Sequence, residues 1–161
     1  MSAIHTEPLT APAFAPFGTV IARRATPDRM INHGLCARHH DLARPDILEG
    51  AAGISLFQAE PRALPYRLEM MERHPLGSQS FLPMYETRFL VTVAPDEGGR
   101  PGAPRAFLTA PGEGVQIGRN IWHGVLTPLE PPGLFAVIDR IGDGPNLEEH
   151  WLDTPVTITS A

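Results

Sequence analysis

Apolar and polar residues alternate in short runs along most of this chain, and a proline or glycine stands near the end of nearly every run. Residues 54–58, 66–73, 80–85, 88–94, 105–110, 115–117, 120–126 and 134–140 carry that pattern and predict short strands. Gly18-Thr19-Val20-Ile21 opens an earlier one. Ahead of it, residues 8–18 predict a short helical turn, with Thr10 as N-cap, Pro12 in the first turn and Gly18 ending it. Residues 23–29 read as a loop, and residues 41–48 leave room for one helical turn limited by Pro45. Residues 96–102, rich in glycine and charge, read as an exposed turn. No strand is read before residue 18 or after residue 140. Many evenly spaced short strands with little helix predict an all-β fold, a barrel or a sandwich. A barrel mouth supplies one cavity for a small ligand.

Composition sharpens this picture. A chain of 161 residues with 42% apolar content suits a single domain, 1–161, with a core of its own. The 18 prolines and 15 glycines are spread along the chain, as many turns between many strands require. A net charge of −5 without any Lys/Arg run argues against a nucleic-acid surface. Every basic residue is an arginine, whose planar fork suits carboxylates. Cys36 is the only cysteine, so no internal disulfide can form. No signal pattern opens the chain and no apolar run reaches bilayer length, so a cytoplasmic protein without membrane partners is expected.

Two polar segments carry the candidate chemistry. The first runs from Glu72 through Arg73, His74 and Gln79 to Phe81, and the second is Arg119-Asn120-Ile121-Trp122-His123. They flank strands far apart in sequence and predict two walls of one pocket for a small anionic substrate. On a strand, His123 shares its face with Ile121 and Val125 and points inward, either as a satisfied core histidine or as a ligand or proton carrier. His74, followed by Pro75 and Gly77, falls at a strand end. Glu72 and Arg73 take opposite faces, and whichever points inward needs a partner. Gln79, on the same face as Phe81, offers donors and an acceptor to a urea-like group or simply caps a turn. Asp139 and Arg140 close the last apolar run, either as a strand-end ion pair of little energetic weight or as site residues. Phosphate loops, nucleophile elbows and cysteine nucleophile signatures are absent from the sequence.

The blocks Glu72-Arg73-His74-Pro75-Leu76-Gly77-Ser78-Gln79 and Arg119-Asn120-Ile121-Trp122-His123, with Phe17-Gly18-Thr19-Val20-Ile21 and Ile138-Asp139-Arg140, resemble the ureidoglycolate lyase family. That resemblance implies a cupin-like β-barrel with a short N-terminal helix, commonly a homodimer. It implies cleavage of (S)-ureidoglycolate to glyoxylate and urea in allantoin, hence purine, degradation. It also implies a divalent metal, nickel being suggested, and no organic cofactor. His74, Gln79 and His123 stand where cupin metal ligands would, although Leu76 replaces the second closely spaced histidine.

Ureidoglycolate is a carbinolamine, and its breakdown is an elimination. On this expectation Arg73 or Arg119 grips the carboxylate, Gln79 and Asn120 hold the ureido group, and Phe81 and Arg140 also belong to the substrate-binding residues. His123 or Glu72 removes the hydroxyl proton, His74 protonates the departing nitrogen, and Asp139 orients a histidine. Other small-molecule metal cupins, and a non-catalytic module that binds glyoxylate or a related acid, would use the same residue types.

Overall fold

The computed structural model describes residues 2–161. Strands β1 (Ser2–Pro8), β2 (Gly18–Ile21), β3 (Arg29–Ile31), β4 (Cys36–Arg38), β5 (Ala51–Gln58), β6 (Tyr66–Arg73), β7 (Gln79–Pro83) and β8 (Phe89–Ala94) form the first half. Strands β9 (Asp96–Glu97), β10 (Arg100–Pro101), β11 (Arg105–Leu108), β12 (Gly114–Ile117), β13 (Trp122–His123), β14 (Thr127–Pro128), β15 (Leu134–Ile141) and β16 (Glu148–Thr159) form the second. The one helix among the described residues, α1 (Ala11–Phe14), lies between β1 and β2. The all-β expectation holds, and the strands enclose a barrel as the cupin resemblance implies.

Six strands close on themselves in the order β11-β1-β16-β6-β13-β8 and back to β11. The ring is mixed, because β1 runs parallel to both β11 and β16. A second sheet, β2-β12-β7-β15-β5, packs against it. Strand β8 is buried along its whole length and serves both layers. Side chains alternate across a strand, so Phe89, Val91 and Val93 enter the core between ring and sheet, while Leu90 and Ala94 enter the core of the ring. The first core also takes Phe81, Val115, Phe135 and Val137 from the sheet. Phe89 and Phe135 meet edge to face at 4.9 Å, and Phe14 meets Phe107 at 5.5 Å. The second core holds Leu68, Met71, Trp122, Val156 and Ile158. Burying one such side chain contributes about 1.5–3 kcal/mol, so these two clusters are what hold the layers together.

Local chemistry explains the smaller elements. The Thr10 hydroxyl accepts from the Ala13 N–H, Pro12 needs no hydrogen bond in the first turn, and the helix exists to bury Phe14. Gly18 starts β2 rather than merely ending the helix. A Cβ there would stand 1.9 Å from the Gln116 carbonyl oxygen, so only glycine lets β2 pair with β12.

The structure differs from the sequence expectation in several places, the unread strand β1 before residue 18 among them. Residues 120–126 give only the two-residue β13, because Asn120 adopts φ of 65° and the chain leaves the ladder after His123. Residues 41–48 form no helix; Pro45 interrupts them and Ile47 bridges to Gly77. Residues 96–102 form a miniature hairpin, β9 to β10, around Gly98 and Gly99 in the left-handed region. The long strand β16 was hidden by its charges and by Pro155, which falls at an irregularity in its pairing with β6 between Trp151 and Val156.

Candidate active site

Strand register brings the two polar segments together. His123 on β13 lies directly opposite Glu72 on β6 and, on its other side, opposite Val93 on β8. Directly paired residues project to the same face, and Val93 belongs to the core between the layers. Glu72 and His123 therefore face the second sheet. His74 follows the end of β6, where its carbonyl accepts the Asn120 N–H at 2.9 Å and ties the segments together. The two imidazole rings sit 5.2 Å apart. A Glu72 carboxylate oxygen is 3.9 Å from His74 Nε2, and one ligand atom from each of Glu72, His74 and His123 falls within 4.8 Å of the others.

Hydrogen bonds fix the chemistry each ring presents. His74 Nδ1 is 2.8 Å from the Asn146 carbonyl oxygen, and His123 Nδ1 is 2.9 Å from that of Gly124. A carbonyl only accepts, so each Nδ1 carries a hydrogen, and each ring in its neutral form turns a bare Nε2 lone pair to the site. Gln79, at the start of β7, donates its Nε2 to Asp139 Oδ2 at 3.2 Å. Among the described residues, His74 Nε2, His123 Nε2 and Gln79 Oε1 are the buried side-chain polar atoms left without a partner.

Burial pulls His123 down to about 4, so its ring is neutral at pH 7 despite the hydrogen bond to Gly124. Burial pushes the Glu72 carboxyl up; His74 counters this and Glu149, across the ladder on β16, adds to it. Two bare imidazole nitrogens and a carboxylate meet in the cluster, all acceptors. Such a set fits a divalent cation, whose positive charge would satisfy the orphaned atoms.

The remaining sequence candidates lie elsewhere. Arg73 takes the face opposite to Glu72. It donates to Asp96 at 2.7 Å and Glu148 at 2.6 Å, and its guanidinium stacks 4.4 Å over the Trp122 ring. Its charge is already matched by these two carboxylates. Arg119 is exposed and reaches Asp46 and the Pro75 carbonyl. Arg140 is spent on the carbonyls of Leu48, Glu49 and Asp143. Asn120 is exposed and contributes its backbone N–H. Phe81 packs in the apolar core against Phe57 at 6.3 Å. Asp139 bonds to Gln79 and to no histidine.

Sequence reasoning missed Asn146. Its carbonyl sets the His74 tautomer while its side-chain oxygen accepts the Leu76 N–H at 2.7 Å. The only signal was an Asn in the turn-forming run Gly142-Asp143-Gly144-Pro145-Asn146. It missed Asp96 as well, which accepts the Trp122 indole N–H at 2.9 Å beside Arg73.

Open clefts of about 340, 400 and 370 Å³ lie away from the cluster, lined in turn around Arg23 and Glu113, Glu7 and Arg88, and His39 and Gln116. None of these three collects unpartnered buried acceptors. The cluster itself is partly open to solvent, with about a fifth of the Glu72 and His74 side chains exposed.

A family model described as ureidoglycolate lyase matches residues 1–159. A ureidoglycolate lyase of Rhodobacter capsulatus is 59% identical over 98% of this chain and 99% of its own length. Ureidoglycolate lyase 2 of Rhizobium meliloti is 51% identical over 96% of each chain. A ureidoglycolate lyase of Chelativorans sp. is 49% identical over 98% of this chain and 97% of its own.

Proposed function

This chain belongs to the ureidoglycolate lyase family, and from that premise we propose that it is a carbon–nitrogen lyase cleaving (S)-ureidoglycolate to glyoxylate and urea, in allantoin (purine) degradation. The observation that carries the reading is the meeting of Glu72, His74 and His123 at one point from segments fifty residues apart, each turned toward the others as an acceptor.

The substrate carbon bears a hydroxyl, a carboxylate, a hydrogen and a ureido nitrogen. Cleavage removes the hydroxyl proton, closes the carbonyl of glyoxylate, breaks the C–N bond and returns a proton to nitrogen. Oxygen and nitrogen sit on the same carbon, so one carboxylate can reach both. We assign that shuttle to Glu72. Its raised affinity for protons makes it a stronger base than an ordinary carboxylate and a competent acid afterwards. His123, neutral and with Nδ1–H committed to Gly124, serves as an acceptor and not as the acid. His74 is held in the same tautomer by Asn146, so the donor role expected of it passes to Glu72.

The residues best suited to hold a divalent metal are His74, His123 and Gln79, whose site-facing atoms have no other partner, with Glu72 beside them. Bound there, such an ion would supply a Lewis acid and a positive seat for substrate oxygens, which the arginines do not provide. Nickel suits an imidazole-rich site. Residues 1–161 act as one domain, and the chain works in the cytoplasm as a homodimer. Among the described residues no helix is long and apolar enough to cross a membrane. Supporting a second copy, the edge strand β5 turns Ile54, 78% exposed, and Leu56, 65% exposed, outward.

The decisive experiment incubates the purified protein with racemic ureidoglycolate and follows urea and glyoxylate against the spontaneous rate. Half the racemate should be consumed quickly, with urea and glyoxylate in equal amounts. Release at the spontaneous rate, with or without added nickel, would exclude the activity.

A further inference from the structure

The Gln79 side chain is almost fully buried, 7% of the residue remaining exposed, and ends in two groups of nearly the same shape and opposite character. Its oxygen accepts; its NH₂ donates. Which end turns away from Asp139 decides whether this buried side chain offers a lone pair, suited to a cation, or hydrogens, suited to an anion. Only one side-chain hydrogen bond sets that choice, the 3.2 Å donation from Gln79 Nε2 to Asp139 Oδ2. An ionised carboxylate accepts and cannot donate. A reversed amide would press its oxygen against that carboxylate, and it would offer hydrogens where Oε1 now stands buried and unpartnered. The two residues are neighbours by register: β15 runs antiparallel to β7 with Ile138 opposite Ser80, so position 139 comes beside position 79.

We propose that Asp139 is a positioning residue that holds the Gln79 amide oxygen-inward and thereby makes the cluster select a cation. This rests on the reading of the cluster as a cation seat. Asp139 would then do for Gln79 what the Asn146 and Gly124 carbonyls do for the two histidines: an acceptor outside the cluster obliges the group inside to present a lone pair.

The test is a double-mutant cycle read by calorimetric titration of nickel(II) into metal-free protein, with thermal midpoints checking that each variant is folded. The four proteins are the natural chain, Asp139→Asn, Gln79→Leu and the double variant. Asparagine at 139 can donate as readily as accept and no longer dictates the amide's direction. Asp139→Asn should weaken nickel binding by roughly 10–100-fold when Gln79 is present and by less than about twofold when residue 79 is leucine. An equal loss in both backgrounds would show Asp139 acting through its charge alone and overturn the proposal, as would no loss at all. A second readout needs no metal. The side-chain NH₂ protons of Gln79 in the ¹⁵N spectrum should exchange slowly with solvent in the natural chain and markedly faster in Asp139→Asn; identical exchange rates and shifts in both would overturn the proposal. A natural chain that binds no nickel overturns the cation seat itself, and the amide signals then decide the orientation claim separately.

Discussion

Glu72 is asked to do most of the chemistry, and its placement is what permits this. A carboxylate on the core-facing side of β6, with a neutral imidazole opposite it, keeps protons more firmly than one in water. Glu72→Gln preserves size and removes the proton shuttle, so urea release should fall by about 10²–10⁴-fold with the thermal midpoint nearly unchanged; a variant with near-normal turnover would move the role elsewhere. His123 makes a separate prediction for the metal-free protein. The folded state holds it at about 4 while the ordinary value is 6.5, so between these pH values the unfolded chain binds a proton that the folded chain refuses. The stability tied to neutral His123 is complete above pH 6.5 and is lost as pH falls through 4, by roughly 3 kcal/mol in all. Glu72 runs the other way, since its raised carboxyl favours the folded state toward acid pH. Urea-denaturation midpoints from pH 7 to 4.5 should fall in the natural chain and flatten in His123→Met.

Arg73 shows an element-scale function where the sequence invited a residue-scale one. It sits nearly buried between β6, β9 and β16, pairs with Asp96 and Glu148, and covers Trp122. Replacing it with alanine should lower stability by about 1–3 kcal/mol, read as a shifted denaturant midpoint. The turnover of the folded fraction should be unchanged. Loss of turnover without loss of stability would restore it as a substrate ligand. Gly124 belongs to the same scale. A Cβ there would meet Thr92 Oγ1 at 2.2 Å and Leu68 at 3.2 Å, so Gly124→Ala must displace the chain just after β13. A cost of about 1–3 kcal/mol is expected, with a matching drop in nickel affinity because the carbonyl of residue 124 fixes His123.

These cases show what the sequence disclosed. Glu72, His74 and His123 were legible because alternation and strand ends are local properties, and two such segments imply a ladder. The faces of Arg73, Arg119 and Arg140 were not, because their partners at positions 96, 148, 46 and 49 come from loops or a distant strand whose register is a tertiary fact. Asn146 was missed for the same reason: its useful group is a backbone carbonyl, which every residue has. The ring strands β1 and β16 were unread because each is stabilised by the other and carries little apolar signal alone.

At the scale of the whole molecule, β5 is a long, free edge with an apolar outer face, a combination natural proteins seldom leave uncovered. If a second copy covers it, Leu56→Asp combined with Ile54→Asp should convert a dimer of about twice the 17.5 kDa chain mass into a monomer in analytical ultracentrifugation. The inner core would be intact and the circular dichroism unchanged. A natural chain already sedimenting as a monomer would rule the dimer out.

The barrel's closure depends on β1 and β16 together. Among the described strands the first in chain order, β1, lies between β11 and the last, β16, with Ser2 beside Val156 and His5 beside Thr159. No partial chain can seal the ring. A chain without β16 leaves the facing edges of β1 and β6 unpaired, so deleting residues 148–159 should yield aggregate in place of a weakened enzyme, read as loss of soluble protein.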